Sequence, residues 1–156
     1  MNAEIFGLEY WFTSLAAGLL GALAMEAAMA LIGRADWAKG SMIVALGSLV
    51  TGHRENAFRT GVIIHATSAI LFALIYNAAM LQFGFARFPE AFFVGTGFGV
   101  IHGIMVSLAL VWVIAEQHPL EEFNDAGFAV GLRHLAGHIA YGAVVGLVVA
   151  VTSFLG

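Results

Sequence analysis

Hydrophobic positions fall into four long runs that short polar segments separate. Each run reaches the roughly 20 apolar residues that a helix needs to cross a bilayer. The stretch "SMIVALGSLVTG" (41–52) is apolar but too short to span, which indicates an interfacial or re-entrant helix. The pattern predicts an all-α, four-helix transmembrane bundle in a single domain (1–156), with spans at about 11–32, 60–83, 91–115 and 128–154 and the short helix at about 41–50.

Composition supports a lipid solvent and narrows the chemistry. Of 156 residues, 61% are hydrophobic and only 10% are charged, whereas soluble domains carry about 25% charged residues. The absence of cysteine excludes disulfides, thiolate zinc sites, iron–sulfur clusters and thiol catalysis. A net charge of −4 without a basic run argues against a nucleic-acid partner. The predicted partner is therefore the lipid bilayer.

Positive charges are unevenly divided between the two ends of the predicted bundle. The positive-inside rule then places residues 33–60 and 116–130 in the cytoplasm and both termini outside, in a multi-pass protein of the bacterial inner membrane. The N-terminus carries no Lys or Arg, so the first run is interpreted as a permanent helix and not as a signal peptide. Of the basic residues, Arg87 is in the opposite loop. The basic residues on the predicted cytoplasmic side are Arg34, Lys39, Arg54, Arg59 and Arg133.

Each of the four predicted spans contributes one ionisable residue that we expect at a related depth: Glu26, His65, His102 and His138. Such residues are costly in hydrocarbon, so they usually face the interior and mark a site. A weak internal repeat aligns 21–31 with 97–107 and 61–76 with 134–149, which places Glu26 over His102 and His65 over His138. We therefore expect the four side chains to converge inside the bundle, where four-helix bundles build their sites.

The stretch "GLRHLAGHIAYGAV" (131–144) adds His134, which is one helical turn before His138 and on the same face. Metal-binding helices use this spacing. The predicted metal ligands for zinc, iron or copper are Glu26, His65, His102, His134 and His138. Alternatively, His65, His102 and His138 would bind haem, with Tyr141 hydrogen-bonded to the cofactor.

Other interpretations stay open at this point. Each histidine could be hydrogen-bonded within the core, and Glu26 could be protonated. Glu26 and the histidines could form the relay of a small permease or proton-coupled carrier. The chain could also be a non-catalytic, cofactor- or pigment-binding subunit of a homo-oligomer or larger membrane complex. No phosphate-binding loop, nucleophile elbow or other catalytic pattern is recognisable, so no catalytic residues are predicted.

Two further patterns concern packing and the last connection. Gly95, Gly99 and Gly103 form successive small-xxx-small steps, which in lipid predict close helix packing. The acidic stretch "EQHPLEEFNDAG" (116–127) is typical of a solvated loop. As an alternative, it could gather cations at a cytoplasmic mouth together with His53 and His134.

The segments "GALAME", "HATSAILFALIYNA", "GTGFGVIHGI" and "GHIAYGAVVGLV" resemble a family of small bacterial four-helix membrane proteins, known as a domain of unknown function. The resemblance extends from about Ala17 to Val149 and implies the same fold. It also implies that His65, His102 and His138 correspond to family histidines, whereas Glu26 stands where relatives have other residues. The family has no established activity, so the resemblance adds little about function.

Overall fold

The computed structural model describes residues 7–33, 41–124 and 127–155, and these ranges contain helices and connections but no strand. The all-α bundle with a short additional helix is confirmed, and Arg34 and Lys39 lie outside the described residues. A π-helical turn, Leu110–Ile114, extends the fourth helix, and a 3₁₀ turn, Glu121–Phe123, precedes the fifth. The helices are α1 Leu8–Gly33, α2 Met42–Thr51, α3 Ala57–Phe83, α4 Glu90–Ala109 and α5 Phe128–Leu155.

Four helices, α1, α3, α4 and α5, are each long and apolar enough to cross a membrane. Their large apolar side chains point outward, and Leu23, Ile63, Phe93 and Phe154 are all at least 66% exposed. A continuous apolar surface of this kind is unfavourable in water but suits the hydrocarbon of a bilayer. The fold therefore fits a multi-pass membrane protein.

Glycines bring α4 and α5 into backbone contact. A Cβ atom on Gly95 would meet the Gly142 carbonyl oxygen, and one on Gly99 would meet the carbonyl oxygen of His138. Gly103 faces the His138 Cβ, to which an added Cβ would be 2.9 Å. The packing role predicted for these glycines is confirmed, because larger side chains would force the two helices apart.

The short helix α2 runs antiparallel to the first two turns of α3. Gly47 packs against the Ala57 carbonyl and Gly61 against the Ile43 carbonyl, so this pair also meets backbone to backbone. Gly52 ends α2 in the left-handed region, at φ 73°, where glycine is favoured. Helix α2 therefore packs along the start of α3, close to its backbone.

The packing around the bundle is uneven. Helix α1 packs against both α3 and α5, and α4 packs against α5, whereas the backbones of α3 and α4 come close at few points. A buried polar cluster joins α1 to α3: Asn77 Nδ2 donates to Ser14 Oγ at 2.9 Å, and Tyr10 Oη donates to the Leu74 carbonyl at 2.9 Å. The sparse contact leaves a gap between α3 and α4.

Candidate functional site

A cavity of about 300 Å³ occupies the gap between α3 and α4. Helix α5 forms its third wall, and α2 together with residues 115–123 covers its end. Five of the predicted site residues line this cavity: His65, His102, His134, His138 and Tyr141. The structure therefore brings the four intramembrane histidines to one space, although three elements contribute them and not four.

The site lies in one half of the bundle, between its centre and one end. Glu26 is seven residues before the end of α1 at Gly33, and His65 is eight residues after the start of α3 at Ala57. At a rise of 1.5 Å per residue, both lie roughly 10–12 Å from that end. This is the end that carries α2 and residues 115–124, so the cavity has a short path to the surface.

The two α5 histidines have a defined tautomer. His134 Nδ1 donates to the Val130 carbonyl at 2.8 Å, and His138 Nδ1 donates to the His134 carbonyl at 2.8 Å. Because Nδ1 carries the proton in each neutral ring, Nε2 keeps its lone pair. His134 is only 7% exposed, and its Nε2 has no hydrogen-bond partner among the described residues. A buried acceptor without a donor is unfavourable unless a ligand or a water molecule binds to its lone pair.

His102 is fixed by contacts on three sides. Its Nδ1 lies 3.1 Å from Tyr76 Oη, and its ring centroid lies 3.9 Å from that of Phe72. The His138 ring is the third neighbour, with centroids 4.6 Å apart. Tyr76 was not predicted from the sequence, although a tyrosine inside a span signals the need for a hydroxyl partner.

Glu26 does not line the cavity but contacts a residue that does. Its Oε1 lies 3.6 Å from His65 Nε2, which is too long for a hydrogen bond. Both atoms are buried and lack a hydrogen-bond partner among the described residues, although 41% of the Glu26 side chain is exposed. Glu26 also interacts electrostatically with Arg133, whose guanidinium packs against Gly33. A carboxylate at this position therefore has a nearby permanent counter-charge.

The distances discriminate between modes of metal ligation. Two imidazoles on opposite faces of one iron, with bonds of about 2.0 Å, would have ring centroids about 6 Å apart. The His102 and His138 centroids are closer, at 4.6 Å, so this pair does not bracket a haem iron as arranged here. Two imidazoles in adjacent positions on one ion would have centroids about 4.5–5 Å apart, and the spacing of this T-shaped pair is compatible with that arrangement. Among the described residues, no three His, Asp or Glu side chains form a ready-made metal group.

Part of the acidic segment 116–127 belongs to the site. Residues 125–126 of this segment lie outside the described residues. His118 is buried and lines the cavity, as does Glu122. Arg54 donates to both carboxylate oxygens of Glu122, at 2.7 and 2.8 Å. This ion pair holds the pKa of the Glu122 carboxyl below its usual value, through the hydrogen bond first and the charge second. The residues 115–124 are therefore not simply a solvated loop.

The internal repeat has a partial structural counterpart. The repeat maps the Glu26–His65 pair onto the His102–His138 pair, and each pair is in contact. The packing is nevertheless asymmetric, because α1 packs closely against α5 whereas the backbones of the corresponding helices α4 and α3 stay further apart and meet through side chains. The cavity occupies the place where a symmetric bundle would have a fourth helix interface.

Comparison of the chain with known protein families, with curated proteins and with solved structures finds no match. The family resemblance of the sequence motifs stays a prediction. The functional argument therefore depends on the geometry of the site.

Proposed function

We propose that this membrane protein binds a divalent transition-metal ion, reversibly, in the cavity, through the histidines of its helical walls, His65, His102, His134 and His138. The observation that carries the proposal is the pair of α5 imidazoles, whose Nδ1 atoms are held by backbone carbonyls and whose Nε2 lone pairs stay available. Metal-bound histidines usually donate their second ring nitrogen in this way. Neutral imidazole is a good ligand for zinc, copper, iron and nickel.

The ion would be held first by His102 and His138, whose rings have the spacing of adjacent ligands. His65 and His134 line the same cavity and would complete the site after small side-chain movements. When His102 binds through Nε2, its Nδ1–H donates to Tyr76 Oη, so metal binding selects one tautomer. Few preformed ligands suit an ion that is taken up and released, and not a permanent structural ion.

An ion suits this cavity better than haem does. A volume of about 300 Å³ is at the lower limit for small-molecule sites, and the closest histidine pair has the wrong spacing for axial ligation. Arg54, Arg59 and Arg133 all belong to the end at which the cavity lies, and Arg87 belongs to the opposite end. By the positive-inside rule, we propose that the cavity faces the cytoplasm of a bacterial inner membrane.

The test is metal binding to purified protein in detergent. Titration with Co²⁺ and Zn²⁺ should give about one ion per chain, with a Co²⁺ spectrum of nitrogen ligands, and His138→Ala should abolish it. His53→Ala is the matched control because His53 is exposed and outside the cavity. Absence of binding at micromolar ion, or equal loss in both variants, would contradict the proposal.

A second candidate function, proton-coupled transport, is favoured by one observation. Glu26 lies outside the cavity yet its Oε1 is 3.6 Å from Nε2 of the cavity residue His65, so a proton has a short path between cavity and carboxyl group. Vesicles containing the protein would then dissipate a pH gradient, and Glu26→Gln would stop the flux. Glu9→Gln, at the exposed start of α1, is the control. A gradient that decays equally with Glu26→Gln would exclude this candidate.

A further inference from the structure

The cavity lies between two groups of helices that are each tightly packed. Helix α2 is joined to α3 through backbone contacts at Gly47 and Gly61, and α4 is joined to α5 through contacts at Gly95 and Gly99. The backbones of α3 and α4 come close at few points, and the contact across the gap is made by side chains such as Tyr76 and His102. Residues 115–124 belong to the α4–α5 group but extend over the cavity towards α2.

Side-chain interactions connect this segment to the α2–α3 hairpin. One is the bidentate ion pair from Arg54 to Glu122, at 2.7 and 2.8 Å. The other is a hydrogen bond of 3.1 Å from His118 Nε2 to the Ala45 carbonyl. The Leu120 N–H donates to His118 Nδ1 at 3.1 Å, which leaves the proton on Nε2 for that bond. We name the two connections, Arg54–Glu122 and His118–Ala45, the latch.

We propose that the latch is a gate over the histidine cavity and that its release opens the cavity at the α2 end. His118, Glu122 and Ala45 line the cavity, so three of the four latch residues also form part of its wall. The ion pair is solvent-exposed, with 67% of the Arg54 and 44% of the Glu122 side chain accessible. Exposed ion pairs are weak and screened by salt, which suits a contact that breaks and re-forms.

The gate deepens the proposed function and rests on it only for the identity of what enters, a divalent metal ion. Access to the cavity can be measured independently of any metal. The chain has no cysteine, so Ser68→Cys introduces a single thiol of nearly unchanged size into the cavity lining. The rate at which a small, charged methanethiosulfonate reagent labels this thiol in proteoliposomes reports the open population.

Charge reversal tests the ion pair in this background. Arg54→Glu and Glu122→Arg should each raise the labelling rate roughly two- to fivefold, and the double swap should return it towards the starting value. His118→Ala should raise the rate by a similar factor. Glu121→Gln removes a neighbouring exposed carboxylate outside the latch and should leave the rate unchanged. Added salt should raise the rate in the parent and not in the Arg54→Glu variant.

Equal labelling rates in the parent, the single reversals and His118→Ala would overturn the gate. If the single reversals raise the labelling rate and the double swap does not restore it, the ion pair is not the contact that keeps the gate closed. Protection of Ser68→Cys by Zn²⁺ is scored separately. Loss of protection alone contradicts metal binding and leaves the gate standing, whereas protection without any effect of the latch variants contradicts the gate alone.

Discussion

Helix α4 has two neighbouring faces that meet their partners in opposite ways. One face, with Gly95 and Gly99, lies against α5 at backbone distance. The other face, with His102 and Val106, looks across a cavity towards α3. In lipid, apolar side chains gain little by leaving the solvent, so helices associate where small residues permit close contact. The comparison shows that α3 and α4 stay apart because imidazole and aromatic side chains occupy the faces that would otherwise meet.

The same contrast holds for polar groups in the two halves of the bundle. Asn77 and Ser14 are buried and bonded to each other, at 2.9 Å, on the side of the bundle away from α2. His134 and His65, in the half next to α2, each have a buried ring nitrogen without a hydrogen-bond partner among the described residues. Buried polar groups that serve structure are normally paired, so unsatisfied ones indicate a binding role.

The largest expected effect is on the face of α4 that packs against α5. Gly99→Ala places a Cβ against the His138 carbonyl and 3.1 Å from the Ile139 Cα, and should destabilise the bundle by about 1–3 kcal/mol. Gly97→Ala is the matched control on the same helix, because a Cβ there meets nothing within 4 Å. Unfolding in mixed detergent would measure both. Equal stability of the two variants would show that the glycine seam does not hold α4 to α5.

The next prediction concerns the face of α4 that carries His102 and lines the cavity. Tyr76→Phe removes the hydroxyl 3.1 Å from His102 Nδ1 and should weaken metal affinity about tenfold, because that contact orients the ring. Tyr10→Phe, which removes a hydroxyl bonded to the Leu74 carbonyl outside the cavity, should leave metal affinity unchanged. Titration calorimetry with Zn²⁺ measures both. A loss that is the same in the two variants would indicate a general effect on packing.

A smaller effect concerns the folding stability of the protein, which unpaired buried groups at the site lower. His134→Leu removes a buried Nε2 that lacks a partner among the described residues and also the Nδ1 hydrogen bond to the Val130 carbonyl, so the two effects oppose each other and stability should change by less than about 1 kcal/mol. Asn77→Leu, in the paired cluster, should lower stability by roughly 1–2 kcal/mol. Unfolding of both variants in detergent measures the difference. Destabilisation by His134→Leu as large as that by Asn77→Leu would show that His134 is a structural residue.

Much of the fold follows from the sequence because each spanning helix is a local property of about 20 apolar residues. The seam at Gly95 and Gly99 was also predictable, because small-residue spacing acts between neighbouring helices. The convergence of His65, His102 and His138 was expected because charged or polar groups avoid lipid. The cavity, the role of Tyr76 and the exclusion of Glu26 from the lining depend on the order in which helices pack, which no local pattern encodes.

The smallest effect concerns pH at the latch, where Arg54 and His118 are the charged and titratable groups that act on Glu122. Hydrogen bonding to Arg54 lowers the pKa of the Glu122 carboxyl in the closed state, so closure is fully supported above the ordinary glutamate value and lost as pH falls through the lowered one. The contribution of this pair to closure should thus be constant from neutral pH down to about pH 5 and should fade below about pH 4. In a His118→Ala background, which removes the interaction of His118 with Glu122, subtracting the Ser68→Cys labelling profile of the Glu122→Gln variant isolates this contribution. A difference profile that changes near neutral pH would contradict the role of the Glu122 carboxylate and assign the pH response to another group.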